Sequence, residues 1–217
     1  HNIGFMAAEA IAREHDFGSW RRRFQGQTSE GRLGGDKVFL LCPETFMNRS
    51  GQAVGEAMRF FKLSPAEVTV FHDELDLAPG KMRVKTGGGH AGHNGLRSIA
   101  SHIGPDFTRI RLGIGHPGDR NRVSDYVLSD FAKADRAWLE PLIEAVACES
   151  PLLVTDGPAV FQQAVARRLA PPPEAKSDAP APRMETGSET PTRGVFSGLA
   201  GLADRLRGRN QIGRAHV

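Results

Sequence analysis

The residues best suited to chemistry crowd into one stretch, Phe71 to Leu96 (FHDELDLAPGKMRVKTGGGHAGHNGL), which holds His72, Asp73, Glu74, Asp76, a run Gly87-Gly88-Gly89, His90, His93 and Asn94. Three readings compete for them. His72, Asp73, Asp76, His90 and His93 are residue types that ligate metals, but neither HExxH nor CxxC spacing accompanies them, and no metal is expected. The glycine run lets backbone approach an anion closely, yet it lacks the lysine-serine ending of a phosphate loop and the GxGxxG spacing of a dinucleotide site. In the third reading His72 and His90 are satisfied polar residues and the glycines form a bend. The stretch by itself does not choose among them.

The elements that must position these groups are more legible. Val68-Thr69-Val70-Phe71 is a β-branched and aromatic run that stops at His72-Asp73-Glu74, as a buried strand does when its C-terminal end opens onto a cleft. Lys81 to Lys85 alternates polar and apolar residues, which predicts a half-exposed strand with basic side chains along one face. Upstream, Phe5 to Glu14 has helical spacing, Trp20 to Gly26 reads as basic and turn-rich, and Val38 to Cys42 is a continuous apolar strand of the parallel-sheet kind. Thr45 to Gly51 is a loop, with Ser50 expected to cap a helix from Gln52 to Phe61 whose stripe is Val54, Met58 and Phe61. His93-Asn94-Gly95 opens a helix from Leu96 to Ile103, Thr108 to Gly115 alternates as a strand, and Trp138 to Ala147 and Ala159 to Leu169 are amphipathic helices. Alternating strands and helices predict an α/β protein, a single three-layer α/β/α domain over residues 1–169 with a mixed, mostly parallel twisted sheet.

The composition, 39% hydrophobic and 24% charged over 217 residues, suits one soluble domain plus something less ordered. A net charge of +3 permits a polyanionic partner without requiring one. Cys42 and Cys148 are too few for a disulfide scaffold and wrongly spaced for zinc, so a reducing cytoplasm is expected; no apolar run approaches a membrane span. Past Leu169 the chain turns rich in Pro, Ala, Glu, Ser and Thr, which predicts a disordered tail over 170–217 with a short amphipathic helix at 195–207. The final residues 211–217, QIGRAHV, match a sequencing adapter translated in frame.

Several long motifs, in order and at matching spacing, resemble the bacterial peptidyl-tRNA hydrolase family: His1-Asn2-Ile3-Gly4-Phe5, Thr45 to Gly51 (TFMNRSG), His72 to Leu77 (HDELDL), Gly87 to Leu96 (GGGHAGHNGL) and Arg109 to Asp119 (RIRLGIGHPGD). The resemblance runs from His1 to about Leu169. It implies cofactor-free hydrolysis of the ester joining a peptide to the terminal ribose of tRNA, in the cytoplasm, by a monomer without membrane attachment. By motif match His1 is the general base and Asp73 the carboxylate that orients it; an imidazole suits a base that must deprotonate water near neutral pH, and a carboxylate stabilises the imidazolium formed. Asn48 and Asn94 match the amides that grip peptide backbone and steady charge on the ester carbonyl, with His93, Phe46 and Met47 beside the substrate. Lys85 and Arg111, joined by Arg83 and Arg120, match the phosphate clamp on the acceptor stem and 3′ end of the tRNA.

Departures from the family pattern carry expectations of their own. The family begins with a strand and glycine loop of the form VGLGNPG before the HNxGF motif, so the resemblance reads this chain as an N-terminally truncated fragment, unstable or nearly inactive as it stands. Cys42 occupies a position where the family commonly has lysine. A rival from another class is an RNA-binding paralogue that keeps the fold without the reaction; the presence of His1, Asn48, Asp73 and Asn94 argues against it, because a binder needs neither base nor carboxylate.

Overall fold

A computed structural model describes residues 2–170 and the backbone of 215–216. Helix α1 (Ile3–Glu14) is followed by strands β1 (Arg21–Arg23), β2 (Gly26–Leu33) and β3 (Asp36–Pro43), then helix α2 (Ser50–Phe61) and strands β4 (Val68–Glu74) and β5 (Met82–Thr86). Helix α3 (Asn94–Ile103) leads to β6 (Thr108–Gly113), and helices α4 (Val123–Leu128), α5 (Arg136–Thr155) and α6 (Pro158–Arg168) follow. A two-residue strand, β7 (Ala215–His216), completes a sheet ordered β1-β2-β3-β7-β4-β6-β5. Pairing is parallel in the centre (β3–β7, β7–β4, β4–β6) and antiparallel at both edges (β1–β2, β2–β3, β6–β5). Among the described residues the sheet is thus mixed, as the sequence pattern predicts, with its parallel pairs at the centre.

Strand alternation divides the core in two. Val38, Leu40, Phe71, Ile110 and Leu112 face α1, α5 and α6, whereas Phe39, Leu41, Val68, Val70 and Phe107 face α2 and α3. Successive side chains pointing to opposite faces is what makes these continuous apolar runs readable as strands covered on both sides.

Three local findings differ from the sequence reading. The basic stretch after Trp20 is a hairpin: Arg21–Arg23 pairs with Gly26–Thr28 across a turn in which Phe24 (φ 52) and Gln25 (φ 56) are both left-handed. That turn lacks the Asn-Gly signature, because Phe24 offsets its backbone strain by burial against Phe39, Phe60 and Phe61, at 5.6, 5.3 and 5.7 Å between ring centroids. Ser50 lies inside α2 instead of capping it; its hydroxyl donates to the Met47 carbonyl (2.9 Å) and ties the preceding 3-10 turn Met47–Arg49 to the helix. Helix α5 continues through Pro151 to Thr155. Proline cannot donate to Ala147, but that carbonyl accepts from the Ser150 hydroxyl and from His15 Nε2, both at 2.8 Å, so no buried acceptor is left unpaired there.

The tail expected at 170–217, with its helix at 195–207, lies outside the described residues except for the backbone of Ala215–His216. That segment pairs with Phe39–Leu40 on one side and Val68–Thr69 on the other. Beyond its reach, the C-terminal halves of β3 and β4 become the two walls of a cleft.

Candidate active site

The cleft encloses about 280 Å³ and is lined by Leu41, Cys42 and Pro43 from β3, by Val70 to Asp73 from β4, and by α1, the Met47 turn and the start of α3. Gly4 makes the first of these contacts possible: a side chain there would drive into the Phe71 carbonyl, so only glycine lets α1 lie directly on β4 and bring Asn2 and Phe5 to the rim. Asn2 caps the helix, accepting from the Phe5 amide at 3.3 Å.

At the end of β4, Asp73 Oδ1 accepts from His93 Nε2 at 3.2 Å, both side chains being largely buried. His93 is also the N-cap of α3. Its Nδ1 accepts from the Gly95 and Leu96 amides (3.1 and 3.2 Å), which leaves the ring proton on Nε2, pointed at Asp73. Gly95 is required here, since a Cβ would stand 2.7 Å from Met47 Sδ and 2.9 Å from His93 Cε1. Burial pushes the Asp73 carboxyl up, but the hydrogen bond from His93, with the electrostatic influence of the His93 and His72 rings, outweighs it and holds the pKa below its ordinary value. His72 stands edge-on to His93 at 5.2 Å and is 6% exposed. Its Nδ1 donates to the Asp73 carbonyl (2.7 Å), and burial, then His93, lowers its pKa to about 4. His72 is therefore neutral near pH 7. Cys42 is buried and its thiol is pushed up to about 12, so it enters the cleft wall as a neutral group.

Alternate residues of β4 and its neighbours build a second surface. His72 and Glu74 share a face with Arg109 and Arg111 of β6, and the register sets Arg83 opposite Arg111 and Lys85 opposite Arg109. Arg111 is paired: its Nε donates to Glu74 Oε2 at 2.8 Å. Burial raises the Glu74 carboxyl, but Arg111 and the Asp76 amide more than reverse this and leave its pKa depressed. Arg83 and Lys85 are exposed and form no ion pair among the described residues.

The predicted site residues are thus distributed unevenly. Asp73, His93 and Met47 meet in the cleft, while His1 lies outside the described residues. Phe46 (78% exposed) and Asn48 stand in the open on the Met47–Arg49 turn. Asn94 is exposed at the start of α3 with its Oδ1 accepting from Arg97 Nη2 at 2.8 Å. Arg120 is exposed in a 3-10 turn after β6. Among the described residues no group of three histidine, cysteine or acidic side chains is gathered to hold a metal ion. Sequence reasoning missed Glu74 as the partner of Arg111 and Arg109 as a buried arginine; only the strand register shows that both belong to this face.

A three-layer α/β sandwich that delivers an imidazole-bound carboxylate to a cleft beside a cationic strand face has parts that an acid–base hydrolase uses. Comparison with known proteins makes this particular. The peptidyl-tRNA hydrolase family model matches residues 1–173. The chain is 57% identical over 217 residues to a peptidyl-tRNA hydrolase of Dinoroseobacter shibae, covering 95% of this chain and 92% of the relative. It is 66% identical over 172 residues to that of Cereibacter sphaeroides, covering 79% and 76%. The crystal structure of peptidyl-tRNA hydrolase from Acinetobacter baumannii superposes with a TM-score of 0.71 at 40% identity, covering 76% of this chain and 85% of that one. The chain belongs to the peptidyl-tRNA hydrolase family. No helix among the described residues is long and apolar enough to cross a membrane.

Proposed function

We propose that this chain carries out the reaction of its family, hydrolysis of the ester between a peptide and the 3′-terminal ribose of tRNA, in the cleft around Asp73. The observation that carries the reading is the His93–Asp73 pair at the cleft end of β4, one residue from a strand face that bears Arg83, Lys85 and Arg111. His93 Nδ1 accepts from the α3 amides, which holds the ring in place against Asp73. By its match to the family motif, the base is His1. It takes a proton from water as the oxygen attacks the ester carbonyl, and the Asp73 carboxylate stabilises the imidazolium. The tetrahedral oxyanion is met by an amide N–H of Asn94, whose Oδ1 is engaged by Arg97 and whose nitrogen is left for substrate. Collapse breaks the bond to the ribose oxygen, which takes the proton from His1. Asn48 holds peptide backbone, with Phe46 and Met47 packed beside it.

The acceptor stem and 3′ end of the tRNA lie on the β5–β6 face, with phosphates at Lys85, Arg83 and Arg111 and a further contact at Arg120. Binding through backbone and a single-stranded end accepts many tRNAs. The enzyme acts as a cytoplasmic monomer in translation, without a cofactor or membrane. The test is release of free tRNA from N-acetyl-aminoacyl-tRNA by the full chain. Turnover that disappears in His1→Ala and falls at least about tenfold in Asp73→Asn supports the reading; tRNA binding without turnover in the unsubstituted chain overturns it.

A further inference from the structure

Among the described residues Arg109 is the largest fully buried side chain, 2% exposed, and it forms no ion pair. A buried guanidinium without a carboxylate is costly unless its donors are otherwise engaged. Here Nη2 donates to the Gly88 carbonyl at 2.8 Å, Nη1 donates to the Gly89 carbonyl and the guanidinium lies 4.7 Å over the Phe107 ring, while the buried Nε has no hydrogen-bond partner among the described residues. Two consecutive carbonyls of the glycine run are thus drawn onto one cation. Gly87 is tied to the same strand through its amide, which donates to the Phe107 carbonyl at 3.2 Å.

On the other side of that loop lies Lys85, opposite Arg109 in the strand register. A Cβ on Gly88, whose φ is +88, would come within 2.7 Å of Lys85 Cε and 2.8 Å of Nζ. The lysine tip therefore rests on the bare Cα of the residue whose carbonyl Arg109 holds. Two like charges directly across a ladder repel, and the carbonyls of Gly88 and Gly89 offset that repulsion by accepting from Arg109.

We infer that Arg109 is a positioning residue for tRNA recognition: it clamps the Gly88–Gly89 carbonyls and so seats Gly88 as the platform that aims the Lys85 ammonium at a tRNA phosphate. The inference rests on the functional reading above. If the wild-type chain fails to release tRNA from N-acetyl-aminoacyl-tRNA, that reading fails first, and the variants below do not enter.

The test is a double-mutant cycle on KM for N-acetyl-aminoacyl-tRNA, using Lys85→Ala, Arg109→Gln and the pair. Each single change is expected to raise KM by about five- to tenfold with kcat held, and to make the salt dependence of KM shallower by about one phosphate contact. The pair is expected to match either single variant. Multiplying effects, or a parallel fall in kcat, would assign Arg109 to general stability and overturn the proposal. Gly88→Ala covers the case in which Arg109→Gln does not fold, since it sits in an exposed loop, keeps Arg109 and displaces the Lys85 tip. It should raise KM as Lys85→Ala does and add nothing to it. A wild-type KM in Gly88→Ala refutes the platform.

Discussion

Replacing Asp73 by Asn keeps the shape of the side chain and removes its charge. In the structure Asp73 Oδ1 accepts a hydrogen bond from His93 at 3.2 Å in a largely buried setting, and its pKa is held below the ordinary carboxylate value by that bond and by the two neighbouring imidazoles. The amide oxygen of Asn can still accept from His93, so the resting geometry survives. In the proposed mechanism, what is lost is the attraction between a carboxylate and the imidazolium formed when the base takes its proton. Hydrogen bonds to charged groups contribute about 1.5–3 kcal/mol, and each 1.36 kcal/mol is a factor of ten in rate, so kcat should fall about 10- to 150-fold. KM for N-acetyl-aminoacyl-tRNA should hold, because the cations proposed to meet tRNA phosphates on the strands stand on β5 and β6 and not on Asp73's part of the cleft. Steady-state release of labelled peptide, with a melting curve on the same sample, measures both. A kcat within threefold of wild type in a folded protein would refute the electrostatic argument. Linkage adds a second readout. A depressed carboxyl pKa contributes stability that is present at neutral pH and lost as pH falls through that depressed value, so the variant's melting temperature should vary less than wild type's below pH of about 4.

Other expectations can be checked alongside. His72 has a folded pKa of about 4 against an ordinary 6.5, so its stability is present above pH 6.5 and lost as pH falls toward 4. The loss is about 3 kcal/mol; His72→Phe should flatten urea unfolding free energies between pH 6.5 and 4, and an unchanged slope would count against the assignment. Glu74→Gln should remove about 1.5–3 kcal/mol by unpairing Arg111, read as a lower melting temperature, while the freed guanidinium leaves KM for tRNA substrate equal or lower. Gly95→Ala, whose methyl would meet Met47 and the His93 ring, should lower kcat without altering the salt dependence of KM; equal kcat would mean that the cap tolerates displacement. Phe46→Ala, at a side chain 78% exposed, should leave stability within about 0.5 kcal/mol and raise KM for long peptides more than for N-acetyl-aminoacyl esters.

By itself the sequence determined the sandwich and the strand that carries Asp73. Continuous apolar runs at Val38–Cys42 and Val68–Phe71, separated by helical spacing, leave few alternatives to strands covered on both faces. The motif TFMNRSG, HDELDL and GGGHAGHNGL likewise determined the family, because several long patterns in order are improbable by chance. The tertiary structure decided what those residues touch. That His93 caps α3 and thereby turns its proton to Asp73, that Glu74 holds Arg111, and that Arg109 is buried under the glycine run all depend on register between β4, β5 and β6 and on the position of α3. Register is a property of pairs of strands distant in sequence, and a shift of one residue would send each of these side chains to the opposite face. The Phe24–Gln25 hairpin was hidden for a related reason: its turn residues carry no local signal, and the force that stabilises it is packing against Phe39, Phe60 and Phe61, contributed by elements the turn meets only in the folded chain.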